Sequence, residues 1–539
     1  MPRPRIAGNT LIVFGANVFS MLFGYGASAL VASEYGSGPE VDAFFIALPL
    51  PMISGYFILS IALVALVPHY QRIREEHGLR EAQKEISPLF WAAGVVSLMA
   101  ACILFFAADS VAVAIAPGFD DGRSQLLAGY LRLTSLALPF LALSAFLQAL
   151  ENANNLFLRA AFARPLASGM ALGALALFLA KGGLHHYFWG LALGAALAFV
   201  WQLGEAHSLG RLPISLRGLA RVWRAVRDSV GWVALARALG HIAEISLQMI
   251  ASLALAGVVA VYGFGFKIAA IPLLLAISLS MVLFPAQTLA SAKRNRKDVN
   301  DLLWKGVNSL AILGALFGSF FYVWADQLVI LLYERGDFDP SLTTSVSGVI
   351  EVFSLGLVAV AANNTIANAF WAEGRLKERI TLEVVAISLL LIGALALIHN
   401  YGAQGLAIAY VAQYGFLFVI GLWRLAPSPS ELARRLIPLL KIGLVALCLA
   451  GAAHYLTPGP AEFRALGAPL RLALVAFAGL GYAVAFFLFT LLARVSEARQ
   501  ILARLQDMAL VPFGRNAAPP EMYRPASSET RSVSASDKP

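Results

Sequence analysis

Charge is scarce in this sequence. Of its 539 residues only 13% are Asp, Glu, Lys or Arg, about half the roughly 25% usual in soluble globular chains. With 59% hydrophobic residues and a mean hydropathy of +0.75, the chain carries more apolar surface than a soluble fold can hide, so lipid must solvate part of it. Cysteine is nearly absent. Cys102 and Cys448 each fall inside an apolar run and read as buried free thiols acting as small hydrophobes, with no disulfide or metal spacing. Phosphate-binding glycine loops, nucleophile elbows and zinc patterns are missing as well, and no loop is long enough to hold a separate catalytic domain. These absences exclude direct ATP hydrolysis and imply no cofactor. Asp120 and Asp121 form the one tempting acidic pair for a membrane-bound glycan enzyme, but their short loop favours solvated acids.

What is present is a series of apolar runs, each about the 20 residues needed to cross a roughly 30 Å hydrocarbon core as a helix. Breaks at Gly, Pro and charge clusters place about fourteen spans, near 8–33, 43–68, 88–108, 126–152, 166–180, 188–207, 229–253, 261–287, 307–326, 342–372, 380–397, 406–423, 437–456 and 471–493. The first follows Arg3 and Arg5, is long enough to span and lacks an early cleavage site, so it reads as a retained helix. The N-terminus and the loops after even-numbered spans hold about 24 Lys and Arg, against about 4 after odd-numbered ones. That bias predicts a multi-pass inner-membrane protein with both termini cytoplasmic. It also assigns the net charge of +9 to anionic lipid rather than nucleic acid.

A weak repeat runs through the chain. Gly118-Phe119-Asp120 and Asp337-Phe338-Asp339 each follow an odd span, and Ser135-Leu136 matches Ser354-Leu355 at the offset that separates Phe119 from Phe338. Phe45 and Pro51 match Phe266 and Pro272 at nearly the same offset. This superimposes span 2 on span 8 and span 4 on span 10, a parallel repeat of two six-helix lobes. The expected organisation is an N-terminal lobe 1–210, a basic linker 211–228, a C-terminal lobe 229–425, two further helices in 426–493, and an amphipathic stretch and disordered tail in 494–539.

Ionisable residues inside spans are expensive and are functional candidates by default. Arg237, His241, Glu244 and Gln248 in span 7 are spaced 4, 3 and 4 and share one helix face. That face either lines a watery cavity or forms an internal Arg–Glu network. Lys267 in span 8 follows Gly263 and Gly265, which let a backbone or ligand approach; it either attracts phosphate or snorkels to an interface. Asp42, at the entry to span 2, either gates the cavity or caps its helix. Glu351, Asn363, Asn364 and Asn368 in span 10 fit interhelical hydrogen bonding better than a transport path. Asn17, Asn9, Glu151, Glu205 and Glu383 are weaker candidates, and His185-His186 reads as a solvated pair. Pro51, Pro139 and Pro272 would shape helix bends.

Several stretches resemble the MurJ/MviN lipid II flippase family, within the superfamily of multidrug, oligosaccharidyl-lipid and polysaccharide exporters. They are Val41-Asp42-Ala43-Phe44-Phe45-Ile46-Ala47, Leu50-Pro51, Val67-Pro68, Ala116-Pro117-Gly118-Phe119 and Leu332-Tyr333-Glu334-Arg335-Gly336-Asp337-Phe338-Asp339, in matching order over about residues 8 to 493. The resemblance implies two lobes around a cavity lined by spans 1, 2, 7 and 8. There the pyrophosphate and sugars of an undecaprenyl-linked precursor would bind, with membrane lipids and envelope-synthesis proteins as further partners. Asp42 falls on the family's acidic position and Lys267 on its span 8 arginine. Two departures stand out. Met21 and Ala27 occupy the family's span 1 arginine positions, and the arginine pair of span 2 is missing from Met52 to Phe57; Arg237 would partly replace them. The implied function is an alternating-access flippase whose site comprises Arg237, Lys267, His241, Glu244, Gln248, Asp42 and Asn17. A flippase for another lipid-linked polysaccharide, a small-molecule antiporter and a non-transporting scaffold remain alternatives.

Overall fold

The structure, a computed structural model, describes residues 6–62, 66–154, 156–178, 183–209, 216–273, 275–276, 280, 287 and 296–499. The tail and most of the expected amphipathic stretch lie outside them, as do residues 211–215 of the expected linker and the side chains of Arg237, Asn9 and Glu205. Within the described residues the chain is a bundle of α-helices.

The helices are α1 (Ile6–Tyr35), α2 (Pro39–Ala47), α3 (Pro49–Ile61), α4 (Val67–His77), α5 (Leu79–Phe106), α6 (Ala108–Ile115), α7 (Asp121–Ala153), α8 (Phe157–Phe178), α9 (His185–Leu209), α10 (Leu219–Ser252) and α11 (Val258–Ala269). There follow α12 (Arg296–Val323), α13 (Ala325–Leu332), α14 (Ser341–Ala372), α15 (Leu376–Leu425), α16 (Pro429–Leu456), α17 (Pro460–Ala465) and α18 (Ala468–Leu492). Ten described helices are long and apolar enough to cross a membrane. One of them, α15, is two spans: Gly402 leaves the helical region at φ 51°, ψ −129° and divides it. With the broken span α2–α3, the 34-residue α10 and the shorter apolar α11, the described residues are approximately consistent with the expected count of about fourteen.

Local chemistry explains where these helices begin and break. Pro49 and Pro51 cannot donate to the preceding carbonyls, so they stop α2 and open α3, and span 2 is two helices where one run was expected. Asp120 caps α7 by accepting from Arg123 N, and Ser428 caps α16 by accepting from Glu431 N. α11 ends at Ala269, just ahead of Pro272. Cys102 and Cys448 are exposed, contrary to the expected burial, because the apolar runs that hold them face the bilayer rather than a core.

The repeat reappears as geometry. α5 and α12 are both 28 residues long. Each leads directly into a helix of 8 residues, α6 in the first half and α13 in the second. These two short helices were not expected. In the first half α8 packs on α1 and α9, and α7 on α9, α5 and α3; in the second, α14 packs on α12, α15 and α11. The two groups form two lobes that meet where α10 and α11 lie against α2, α3, α5 and α6. α16 and α18 are peripheral: 6% and 11% of their most apolar windows are buried, against 67% for α14.

Candidate functional site

The candidate site is the seam between the lobes, where α10 and α11 lie against α2, α3, α5 and α6. Alternating helices put the basic stretches (Arg72 to Lys84, Arg217 to Arg227, Lys297 to Lys305, Arg375 to Arg379 and Arg424 to Arg435) at one end of the bundle. The loops near residues 36–38, 116–120, 253–257 and 333–340 lie at the far end.

At the far end the lobes are stapled together. Asp42 lies in the first turn of α2 but does not cap it. Its carboxylate is 1% exposed and accepts from the backbone N–H of Gly257 at 2.7 Å and of Ala260 at 2.9 Å. It therefore caps α11 from across the seam, where the unpaired N–H groups and the helix dipole favour an anion. Gly257 supplies its N–H from a left-handed conformation, φ 88°, that a side chain would disfavour. A buried carboxylate also needs a countercharge. Arg123, 3.6 Å away and 11% exposed, supplies it while holding Asp120 at 3.0 Å. The Arg123 backbone N–H keeps the Asp120 carboxyl below the usual carboxylate range. Of the two expectations for Asp42, gate or helix cap, the geometry gives a cap on a different helix.

Two further contacts flank this staple and mirror each other. Gly118 donates its N–H to Ser252 Oγ at 3.3 Å, so the loop after α6 rests on the end of α10. Asp337 donates its N–H to the Ser33 carbonyl at 2.7 Å, so the loop after α13 rests on the end of α1. A Cβ on Gly118 or Gly336 would approach the carbonyls of Ser252 and Ser33 closer than real Cβ atoms do. The sequence pattern signalled these two loops but not what they touch.

Deeper in the seam, Lys267 on α11 reaches α1. It donates to the Gly24 carbonyl at 3.4 Å and to Ser28 Oγ, lies 5.5 Å from the centre of the Phe45 ring, and accepts through its own carbonyl from the Tyr25 hydroxyl. Among the described residues no carboxylate pairs with it. It is thus neither snorkelling nor part of an ion pair. Gly263 sits where a Cβ would meet the Phe45 ring at 2.5 Å, and Gly265 where one would meet Val349 at 2.6 Å. The glycines of this helix therefore admit neighbouring side chains. Asn17 shares the α1 face of Gly24 and Ser28 by helical spacing and is half-buried.

On α10 the expected polar face holds together in part. His241 Nδ1 lies 3.7 Å from Glu244 Oε2, with the glutamate side chain 48% exposed. The His241 ring sits 6.5 Å from Phe57 on α3, so this face looks across the seam. Gln248 is half-buried. Gly24 on α1 and Gly240 on α10 have open space before them.

Other candidates resolve as scaffolding. Asn363 accepts from Arg379 at 2.9 Å and Asn368 donates to the Ser280 carbonyl at 3.4 Å. Arg379, at the end of the basic stretch that begins at Arg375, is 5% exposed and pairs with Glu383 at 2.6 Å. The i, i+4 spacing of that pair was the available signal. Glu151 accepts from Gln202 between α7 and α9 at 2.9 Å. His185 and His186 lie with ring centres 4.0 Å apart and their planes tilted by 35°. Among the described residues no cluster of three or more His, Cys, Asp or Glu could hold a metal ion.

Comparison with known proteins gives a consistent picture. The family model described as lipid II flippase MurJ matches residues 31–463. A probable lipid II flippase MurJ of Rhizobium meliloti (strain 1021) is 26% identical over 449 residues, covering 76% of this chain and 80% of the relative. The lipid II flippase MurJ of Burkholderia cenocepacia is 24% identical over 469 residues, covering 83% and 89%. Among solved structures, lipid II flippase MurJ in an inward closed conformation aligns with a TM-score of 0.73 at 17% identity, over 92% of this chain and 100% of that one. An inward-facing multidrug resistance transporter of the MATE family aligns at 0.65 and 14% identity, over 79% and 99%.

Proposed function

This chain belongs to the lipid II flippase MurJ family, and from that premise we propose that it moves an undecaprenyl-pyrophosphate-linked glycan, lipid II or a close relative, across the inner membrane by alternating access. The observation that carries the reading is the seam. Its far end is held shut by Asp42 on the α11 N-terminus and by the mirrored contacts of Gly118 and Gly336. All of these join one lobe to the other, so they part together when the lobes rock.

In this reading the lobes comprise 1–210 and 229–425, joined through 211–228, and the basic end with both termini is cytoplasmic. The far end is then periplasmic, and the chain is closed on that side. Arg237 and Lys267 attract the pyrophosphate. Asn17, His241, Glu244 and Gln248 form polar walls for the sugars, and Asp42 holds the periplasmic end. Lys267, which has hydroxyl and carbonyl partners but no carboxylate, exchanges them for phosphate oxygens when substrate enters. The protein acts as a transporter rather than an enzyme, with envelope-synthesis proteins as partners.

Native mass spectrometry of the purified protein tests the substrate. Lipid II is presented beside an undecaprenyl-linked polysaccharide intermediate, to the wild type and to the Arg237→Ala/Lys267→Ala variant. Selective binding that is lost in the variant is expected and names the glycan. Binding that survives neutralisation at normal expression removes these two cations from the site, and no binding of any prenyl pyrophosphate overturns the reading.

A further inference from the structure

In the N-terminal lobe α5 and α7 line a groove of about 690 Å³ that includes Trp91, Gly94, Leu98, Phe105, Ser135 and Pro139 and no residue of α10 or α11. That volume falls within the roughly 300–1,000 Å³ of ligand sites. The sequence shapes it: Gly94 has no side chain where a Cβ would meet Leu143 Cδ2 at 3.2 Å, and Pro139 interrupts the hydrogen-bond ladder of α7. The lining is almost wholly apolar, and the Ser135 hydroxyl is already committed to the Arg132 carbonyl at 2.6 Å. Leu98 and Phe106 are 55% and 82% exposed, so the groove opens to the bilayer. Between Trp91 and Phe106 it follows α5 for about 22 Å at 1.5 Å per residue. That covers the depth of one leaflet of a roughly 30 Å core, the reach of a single lipid chain.

The far-end mouth of the groove carries the bundle's exposed Asp109–Arg132 pair. Asp109 lies three residues beyond Phe106 and Arg132 three residues before Ser135, so both flank the lining. They are 2.5 Å apart, with side chains 68% and 39% exposed. Surface pairs of this kind add little stability. What this one offers a ligand is a matched set: guanidinium N–H donors suited to a phosphate and a carboxylate able to accept from an ammonium.

We propose that this groove is a binding site for a zwitterionic phospholipid with a primary ammonium headgroup, as in phosphatidylethanolamine. Its acyl chain lies between α5 and α7, its phosphate rests on Arg132 and its ammonium on Asp109. A lipid with phosphate but no ammonium leaves Asp109 facing the anion and binds less well. The site does not depend on which glycan the seam carries.

The two native cysteines provide the test. Cys102 lines the groove, whereas Cys448 is exposed elsewhere, on α16. The full-length protein in detergent is labelled with N-ethylmaleimide while phosphatidylethanolamine or phosphatidylglycerol is titrated in. Phosphatidylethanolamine is expected to slow Cys102 several-fold and leave Cys448 unchanged, phosphatidylglycerol is expected to protect less, and Asp109→Asn/Arg132→Gln should erase the difference. Leu98→Trp, which fills the groove, should slow Cys102 without lipid and abolish the response. Equal protection by both lipids, an unchanged ratio of Cys102 to Cys448 labelling in the wild type, or protection that tracks protein concentration and so reports a second copy, would each overturn the proposal.

Discussion

A carboxylate in the first turn of a helix ordinarily serves that helix, yet Asp42 serves α11 in the opposite lobe. Its position in the sequence marked it as important, but only the fold brings Gly257, far along the chain, within reach. Asp42→Asn keeps the shape and discards the charge that the α11 N-terminus favours. Losing a charge from a helix N-terminus costs about 0.3–1 kcal/mol, up to about 2 kcal/mol in a buried geometry, which at its upper end is about thirtyfold in the balance of closed to open seam. A cysteine introduced at Ser37, beside Gly257, should therefore label faster with an impermeant maleimide in the variant; unchanged labelling would remove Asp42 from the latch. Lys267 makes the opposite kind of prediction. A buried ammonium without a carboxylate is costly to keep, so Lys267→Met should hold or raise the thermal midpoint while weakening retention of a pyrophosphate lipid. A lower midpoint with retention intact would make Lys267 a brace. Both residues were legible in the sequence, Lys267 as a charge inside a span and Asp42 as one at the entry to a span. Their partners were not, because the Gly24 carbonyl and the Gly257 amide are backbone groups and the Ser28 hydroxyl carries no charge to mark it.

At the scale of the helix, periodicity and Lys/Arg placement were enough to count the spans, because a hydrocarbon core imposes a length on every run. The breaks were harder to read. Pro49 and Pro51 divide span 2 within one continuous apolar run. The short helices α6 and α13 are too brief to stand out from the spans they follow. Gly402, by contrast, was visible as a break between spans 11 and 12, and its φ 51°, ψ −129° suits glycine alone. Gly402→Ala should destabilise the protein by about 1–3 kcal/mol, seen as a lower midpoint in thermal denaturation; an unchanged midpoint would mean that the turn relaxes freely. The peripheral pair α16 and α18 is held to the second lobe outside the membrane, where Arg464 forks onto Glu334 at 2.5 and 2.9 Å and Thr343 donates to the same carboxylate. Burial pushes the Glu334 carboxyl up, but the Arg464 and Thr343 hydrogen bonds outweigh it and hold it below its ordinary value. A carboxyl depressed on folding stabilises the fold above its unfolded pKa, about 4.3, and loses that contribution as pH falls through the lower folded value. Glu334→Gln should accordingly flatten the loss of thermal midpoint on acidification below about pH 4.3, and a wild-type acid response retained in that variant would assign it elsewhere.

For the whole molecule, the repeat links sequence to mechanism. A shared offset between two Phe-Asp loops was the faint signal. In the structure those loops make the mirrored contacts of Gly118 with Ser252 and of Gly336 with Ser33, so the repeat survives where the lobes must touch and part. The spacing of His241, Glu244 and Gln248 puts them on one face of α10, where the His241 ring lies 6.5 Å from Phe57 of α3. The most direct test joins the latch to transport. Ser33→Cys/Asp337→Cys in a Cys102→Ser/Cys448→Ser background places a disulfide across the backbone contact of α1 with the loop after α13. In proteoliposomes, lipid II should cross the bilayer when the pair is reduced, stop when it is oxidised and resume on reduction. Translocation that continues with the far end covalently shut would contradict alternating access through this seam.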